Sequence, residues 1–111
     1  MKNWQIWFYK TPSGNSPVEE WLDSLGIDAR VEVLRAVALL KDFGIELEMP
    51  YVKQVKSKLY ELRAKDKDGI YRVLYFAASG HRFVLLHGFA KKTQKTPQKE
   101  IDLALKRMKD V

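Results

Sequence analysis

Residues 59–97 constrain this chain more than any other part of it. Three runs rich in strand-forming residues are separated by two glycine-containing turns, Asp66-Lys67-Asp68-Gly69 and Ala77-Ala78-Ser79-Gly80. That pattern predicts a three-stranded antiparallel meander. Two features do not suit a purely structural sheet. Arg63 and Arg72 fall inside strands, where an unpaired charge is costly to bury. The third run then leads directly into a lysine cluster, Lys91, Lys92 and Lys95, at the mouth of a predicted helix.

The register of the first hairpin decides what the arginines mean. A symmetric loop centred on Lys67 and Asp68 places Arg63 opposite Arg72 on one face of the sheet. It also sets Leu62 against Val73 and Tyr60 against Tyr75, which favours it. A three-residue loop with a bulge at Gly69 would send the arginines to opposite faces. With the symmetric loop, two like charges oppose each other, and the sheet is expected to use them to grip an anion. Replacing one of them with Leu is then expected to leave folding unharmed or improved. The plainer reading lays each arginine stem along the sheet with its head in water.

A length of 111 residues suits one domain, 1–111, with a modest core. With no Cys in the sequence there is no disulfide framework and no thiolate chemistry. No apolar run approaches a membrane span and no signal-peptide pattern is present, so a cytoplasmic protein is expected. Charge is uneven: residues 1–50 carry a net −3 and residues 51–111 a net +9. A basic half beside an acidic one points to a polyanionic partner on one side.

In chain order, Trp4 to Tyr9 is a short aromatic strand. It is apolar at nearly every position and is expected to be buried on both faces, its aromatics serving core packing rather than base stacking. Ser16 is the expected cap of a first helix, with Pro17 in its first position, Glu19 completing a capping box and Gly26 ending it. Asp28 is the expected cap of a second helix that runs to about Phe43 and closes at Gly44, with Val33, Leu34, Val37 and Leu40 at helical spacing. The two helices form a hairpin covering one face of the sheet. Residues 45–58, with Pro50 and little periodicity, read as a long connection carrying Lys53, Lys56 and Lys58.

After the meander, Thr96 caps a last helix with Pro97 in its first position. Ile101, Leu105 and Met108 make its apolar stripe. Lysines just ahead of a helix oppose its dipole, so Lys91, Lys92, Lys95 and the free N–H groups after Thr96 all point to a bound anion. His81 and His87 lack partners at metal spacing, which argues against a zinc site. His87 is either a satisfied structural histidine or a group able to move a proton near the arginines. No phosphate-binding glycine loop and no nucleophile elbow occurs. No cofactor is expected.

Leu59 to Arg63, Tyr71 to Tyr75 and above all Leu85 to Pro97, followed by Ile101 to Arg107, resemble the RelE/ParE superfamily, in the branch of HigB-like toxins of type II toxin–antitoxin modules. The match is dense over residues 55–108. The resemblance implies an α+β fold with an N-terminal strand, a helical hairpin, a three-stranded antiparallel meander and a C-terminal helix. It implies a ribosome-dependent, metal-independent mRNA endoribonuclease and a cognate antitoxin, HigA-like and of helix-turn-helix type. It assigns Arg63, Arg72, Lys91 and Lys92 to the reaction; the reading of the residues themselves adds His87 to these, and places Lys58, Tyr60, Lys95 and Thr96 at RNA contacts. Leu59 and Glu61 stand where some members carry lysines, and Gln98 where some carry a tyrosine. The general base is therefore open among Lys92, His87 and Glu61, in that order. Two other functions stay open: a ParE-like gyrase inhibitor, and a nucleic-acid-binding protein without catalysis.

Overall fold

Asp66 builds the turn that sets the sheet. Its Oδ1 accepts hydrogen bonds from the N–H groups of Asp68 (2.8 Å) and Gly69 (3.0 Å) and from the Tyr71 hydroxyl (3.1 Å). The Asp66 N–H in turn donates to the Gly69 carbonyl at 3.1 Å. Such a side chain to backbone clamp fixes a short loop without a bulge. Arg63 consequently pairs with Arg72, Leu62 with Val73 and Tyr60 with Tyr75, the symmetric register expected from the sequence.

The same contacts make the hairpin pH-sensitive. Partial desolvation pushes the Asp66 carboxyl up, but the three hydrogen bonds and neighbouring Lys67 outweigh it and hold the carboxyl below its ordinary 3.8. A group depressed in the folded state stabilises above its unfolded pKa, and that stabilisation is lost as pH falls through the folded value. The melting temperature of Asp66→Asn should thus lie below wild type near neutral pH, and the gap should close as pH falls below 3.8. A gap that stays constant through strongly acidic pH would remove Asp66 from this role.

The computed structural model describes residues 4–91 and 95–111, with Lys91 described in its backbone alone. The elements are β1 (Gln5–Phe8), α1 (Pro17–Ser24), α2 (Ile27–Phe43), a short 3-10 turn (Gly44–Glu46), β2 (Val52–Lys56), β3 (Leu59–Lys65), β4 (Ile70–Ala78), β5 (Arg82–Lys91) and α3 (Gln98–Met108). The architecture is α+β. One sheet carries the order β1-β5-β4-β3-β2, with β2 to β5 antiparallel and β1 parallel to β5.

Both outer strands differ from expectation. β1 is an edge strand, with Gln5 and Trp7 exposed; only Ile6 and Phe8 turn toward the core. Its aromatic content still serves packing at Trp4, whose ring stacks on Phe83 at 4.1 Å, while exposed Trp7 lies under the Arg82 guanidinium. β2 occupies part of the segment read as a connection. It is a polar edge strand whose pairing with β3 slips between Gln54 and Lys56, so no clean alternation marks it.

Helices cover both faces. On one side α1 lies against β5 and α2 against β3. Val18 and Leu22 of α1 and Ala29, Val33, Ala36, Val37 and Leu40 of α2 pack there on Leu62, Val73, Tyr75, Phe83 and Leu85. Gly88 sits under Trp21, and a Cβ at that position would overlap the ring, so glycine lets α1 close onto the sheet. On the other side α3 lays Ile101 and Ala104 on Leu59, Leu74, Val84, Leu86 and Phe89, with Leu105 and Met108 packed alongside. Gly44 closes α2 as expected, at a positive φ of 63°. The helix starts are less regular. Ser16 stands at the N-cap of α1 but its hydroxyl makes no capping bond, and α2 begins at Ile27 with Gly26 as its cap, which puts Asp28 inside the first turn. Among the described residues no helix is long and apolar enough to cross a membrane.

Candidate active site

Strand alternation puts Leu59, Glu61 and Arg63 on the α3 face of β3, with Arg72 beside them on β4. The anion expected between the two arginines is supplied by the protein itself. Glu61 is fully buried, and its Oε2 accepts from the Nε of Arg63 at 2.7 Å and lies 3.6 Å from the Nε of Arg72. Its Oε1 accepts a hydrogen bond from the Thr96 hydroxyl. That hydroxyl also accepts from Nη1 of Arg72 at 3.2 Å, so it donates to the carboxylate and accepts from the guanidinium at once. Glu61, Arg63, Arg72 and Thr96 thus form one network that ties β3 and β4 to the chain entering α3.

The network divides the two arginines. Arg72 is 2% exposed and acts inside the protein, whereas the Arg63 side chain is 21% exposed. Removing Arg72 therefore does not relieve a naked repulsion. It takes a partner from a buried carboxylate, so a loss of stability is expected in place of the gain.

His87 comes to this face through a β-bulge. Leu74 pairs with His87 and Tyr75 with Leu85, so Leu86 is an extra residue and both Leu86 and His87 turn toward α3. The His87 Nε2 lies 2.7 Å from Oε1 of Glu100. Its Nδ1 lies 3.5 Å from Nη1 of Arg107, which also donates to the Leu86 carbonyl at 2.8 Å. A guanidinium can only donate, so Nδ1 is the acceptor and the ring proton sits on Nε2, given to Glu100. With both nitrogens engaged and Phe89 stacked beside it at 5.5 Å, the geometry matches the structural reading of His87.

The remaining residues separate. Thr96 does not cap α3: the cap position is Pro97, the helix starts at Gln98, and the hydroxyl is committed to Glu61 and Arg72. Lys95 is exposed immediately before it. Lys91 ends β5 opposite Ile70, and Lys92 lies outside the described residues. Tyr60 is on the other face of the sheet, stacked on Tyr75 at 5.9 Å, so it is not beside the arginines. Lys58 sits in the turn before β3, about 17 Å along the strand from Arg63. Among the described residues no cluster of three or more His, Asp or Glu is placed to hold a metal ion.

Residues 20–109 match the family described as phage derived protein Gp49-like. The chain belongs to that family. It is a RelE/HigB-type toxin family, and the α+β sheet with its C-terminal helix is consistent with a RelE-like fold. The chain is also similar to the proteins named probable endoribonuclease HigB1 of two strains of Mycobacterium tuberculosis, CDC 1551 / Oshkosh and H37Rv. Identity to each is 29% over 110 residues, covering 98% of this chain and 84% of the relative.

The Gp49-like match contains every member of the Glu61 network, and Glu61 is the one the sequence reading undervalued. A signal existed: Glu61 stands two residues from Arg63, so strand alternation alone puts them on one face. Its burial could not be read the same way, because Thr96 closes over it from 35 residues away. Glu100 and Arg107, which fix the His87 tautomer, gave no local signal either.

Proposed function

We propose that this chain is the toxin of a type II toxin–antitoxin module, an endoribonuclease that cuts mRNA on the ribosome and so stops translation. The observation that carries the reading is Arg63, held at Nε by a buried carboxylate and partly open to solvent. A guanidinium fixed in this way costs little reorganisation when charge develops on a nearby phosphate. Membership of a RelE/HigB-type toxin family and the likeness to proteins named endoribonuclease support the same direction.

In this reading the substrate's own 2′-hydroxyl attacks the adjacent phosphate, leaving a cyclic phosphate and a free 5′-hydroxyl. The nucleophile belongs to the RNA, so the reaction asks for cations around the phosphate and groups that move protons. Arg63 faces the phosphate; Glu61, Arg72 and Thr96 hold Arg63 in place. Lys91, Lys92 and Lys95 add positive charge, with Lys92 the first candidate for the base, since Glu61 is enclosed by its partners and His87 is engaged at both nitrogens. The ribosome supplies the in-line geometry that a small domain without an evident base needs. A cognate antitoxin, HigA-like, holds the activity in check.

Expressing the chain alone in bacteria should arrest growth by stopping protein synthesis, and co-expressing the antitoxin should relieve it. Pulse labelling and mapping of new 5′-hydroxyl ends on ribosome-bound mRNA test this. Arrest of DNA synthesis ahead of protein synthesis would replace the nuclease reading with the gyrase one. Efficient cutting of naked RNA would remove the ribosome from the mechanism.

A further inference from the structure

At the sheet edge where β3 runs past its pairing with β2, a cleft of about 440 Å³ opens against α2 and is lined by β3 residues of both faces. Its walls include Arg35 and Leu39 of α2, Tyr51, and Arg63, Lys65 and Arg72 of the sheet. The volume is at the lower end for a small-molecule pocket and is enough for one nucleotide. Tyr51 is 44% exposed at the cleft. Its carbonyl accepts the Arg63 N–H at 2.8 Å, so its backbone is tied to β3 at the functional arginine. The Glu61 network does not use Tyr51.

The charges have a direction. Arg35 is paired with Glu32 at 3.1 Å on the α2 side, which largely neutralises that rim. Exposed Lys65 and partly exposed Arg63 leave the sheet side positive. An occupant with a flat apolar body and an anionic end fits this polarity: the body against Leu39 and the Tyr51 ring, the anion toward Arg63 and Lys65. A nucleobase with its phosphate has that form, and stacking on an exposed aromatic beside cations is how unpaired RNA bases are held.

We infer that this cleft is a nucleotide subsite, taking the unpaired base next to the scissile phosphate by stacking on Tyr51. The inference rests on the endoribonuclease reading and adds to it a place where cut-site preference is set. Binding of a fluorescent 2′-O-methyl trinucleotide, which cannot be cleaved because its 2′-oxygens are blocked, should weaken about tenfold in Tyr51→Ala and stay near wild type in Tyr51→Phe. On ribosomes Tyr51→Ala should cut with a broadened distribution of sites. Its melting temperature should match wild type, as the ring is exposed.

The two readings fail separately. If wild type cuts no mRNA but the trinucleotide still loses affinity in Tyr51→Ala, the nuclease reading falls and what stands is a nucleotide-binding cleft without a scissile phosphate beside it. If wild type cuts, and Tyr51→Ala binds the trinucleotide and chooses sites as wild type does, the subsite is overturned. It is equally overturned if Tyr51→Ala changes only the affinity for the antitoxin, which would make the cleft a protein groove.

Discussion

Arg72→Leu should unfold about 3 kcal/mol more easily than wild type, the lower end of the cost of removing one partner from a buried ion pair. For a chain of this size that is a fall of roughly 12 °C in melting temperature. The lower end applies because Arg63 and Thr96 remain on Glu61 when Arg72 is gone. What is lost is the second guanidinium on a fully buried carboxylate and the hydrogen bond to Thr96 that helps hold the chain entering α3. Leu in its place adds apolar contact with Phe89, across the ladder on β5, but cannot answer the charge. The double variant Glu61→Leu with Arg72→Leu should recover much of the loss, because replacing both partners of a buried pair by apolar groups is far less costly than replacing one. Thermal melts of the two single variants and the double variant measure this coupling. An Arg72→Leu protein that melts at or above wild type would mean that Arg72 is a repelled charge, as the sequence alone suggested, and that Glu61 does not need it.

Why the sequence led the other way is instructive about which interactions are local. The Asp66 turn is chemistry within six residues, so the hairpin register and the facing of Arg63 and Arg72 were legible. The apolar stripe of α3 and the Gly44 stop of α2 were legible for the same reason. Contacts between distant segments were not. Thr96 looks like a helix cap because threonine before proline usually is one, yet its hydroxyl crosses to Glu61. The parallel pairing of β1 with β5 joins residues 77 positions apart, Gln5 with Arg82 through Phe8 with Leu85, so β1's apolar content could not reveal that it is an edge. β2 is short, polar and bulged, the traits that keep an edge strand from pairing with other chains, and they also hide it from pattern reading. At the candidate site the arginines were visible as in-strand charges. The carboxylate that organises them was read only as a third choice for the base, since its burial depends on the tertiary fold.

Arg63→Lys should separate activity from folding. The ammonium keeps a positive charge within reach of Glu61, so stability should stay within about 1 kcal/mol of wild type. The guanidinium fork is lost. In wild type Nε binds Glu61 while the terminal nitrogens belong to the same rigid plane, so the carboxylate sets the angle at which they meet a phosphate. A lysine has one nitrogen for both tasks and one flexible stem. Cleavage on ribosomes should fall about a hundredfold, the scale for removing one preorganised donor. The resemblance assigns both arginines to the reaction; with Arg72 2% exposed beside Glu61 and Arg63 partly open to solvent, cleavage is expected to depend more directly on Arg63, and Arg72 to act by holding Glu61. The decisive comparison is Arg63→Lys against Arg72→Lys, each with a melt and a ribosome cleavage rate on the same preparation. Arg63→Lys should lose rate at nearly constant stability. Arg72→Lys should lose stability, and its rate per folded molecule should fall less than that of Arg63→Lys, because it acts on Arg63 only through Glu61. If Arg63→Lys cleaves at the wild-type rate while Arg72→Lys loses rate without losing stability, Arg72 is the phosphate ligand, and the free protein must open around it before it cuts.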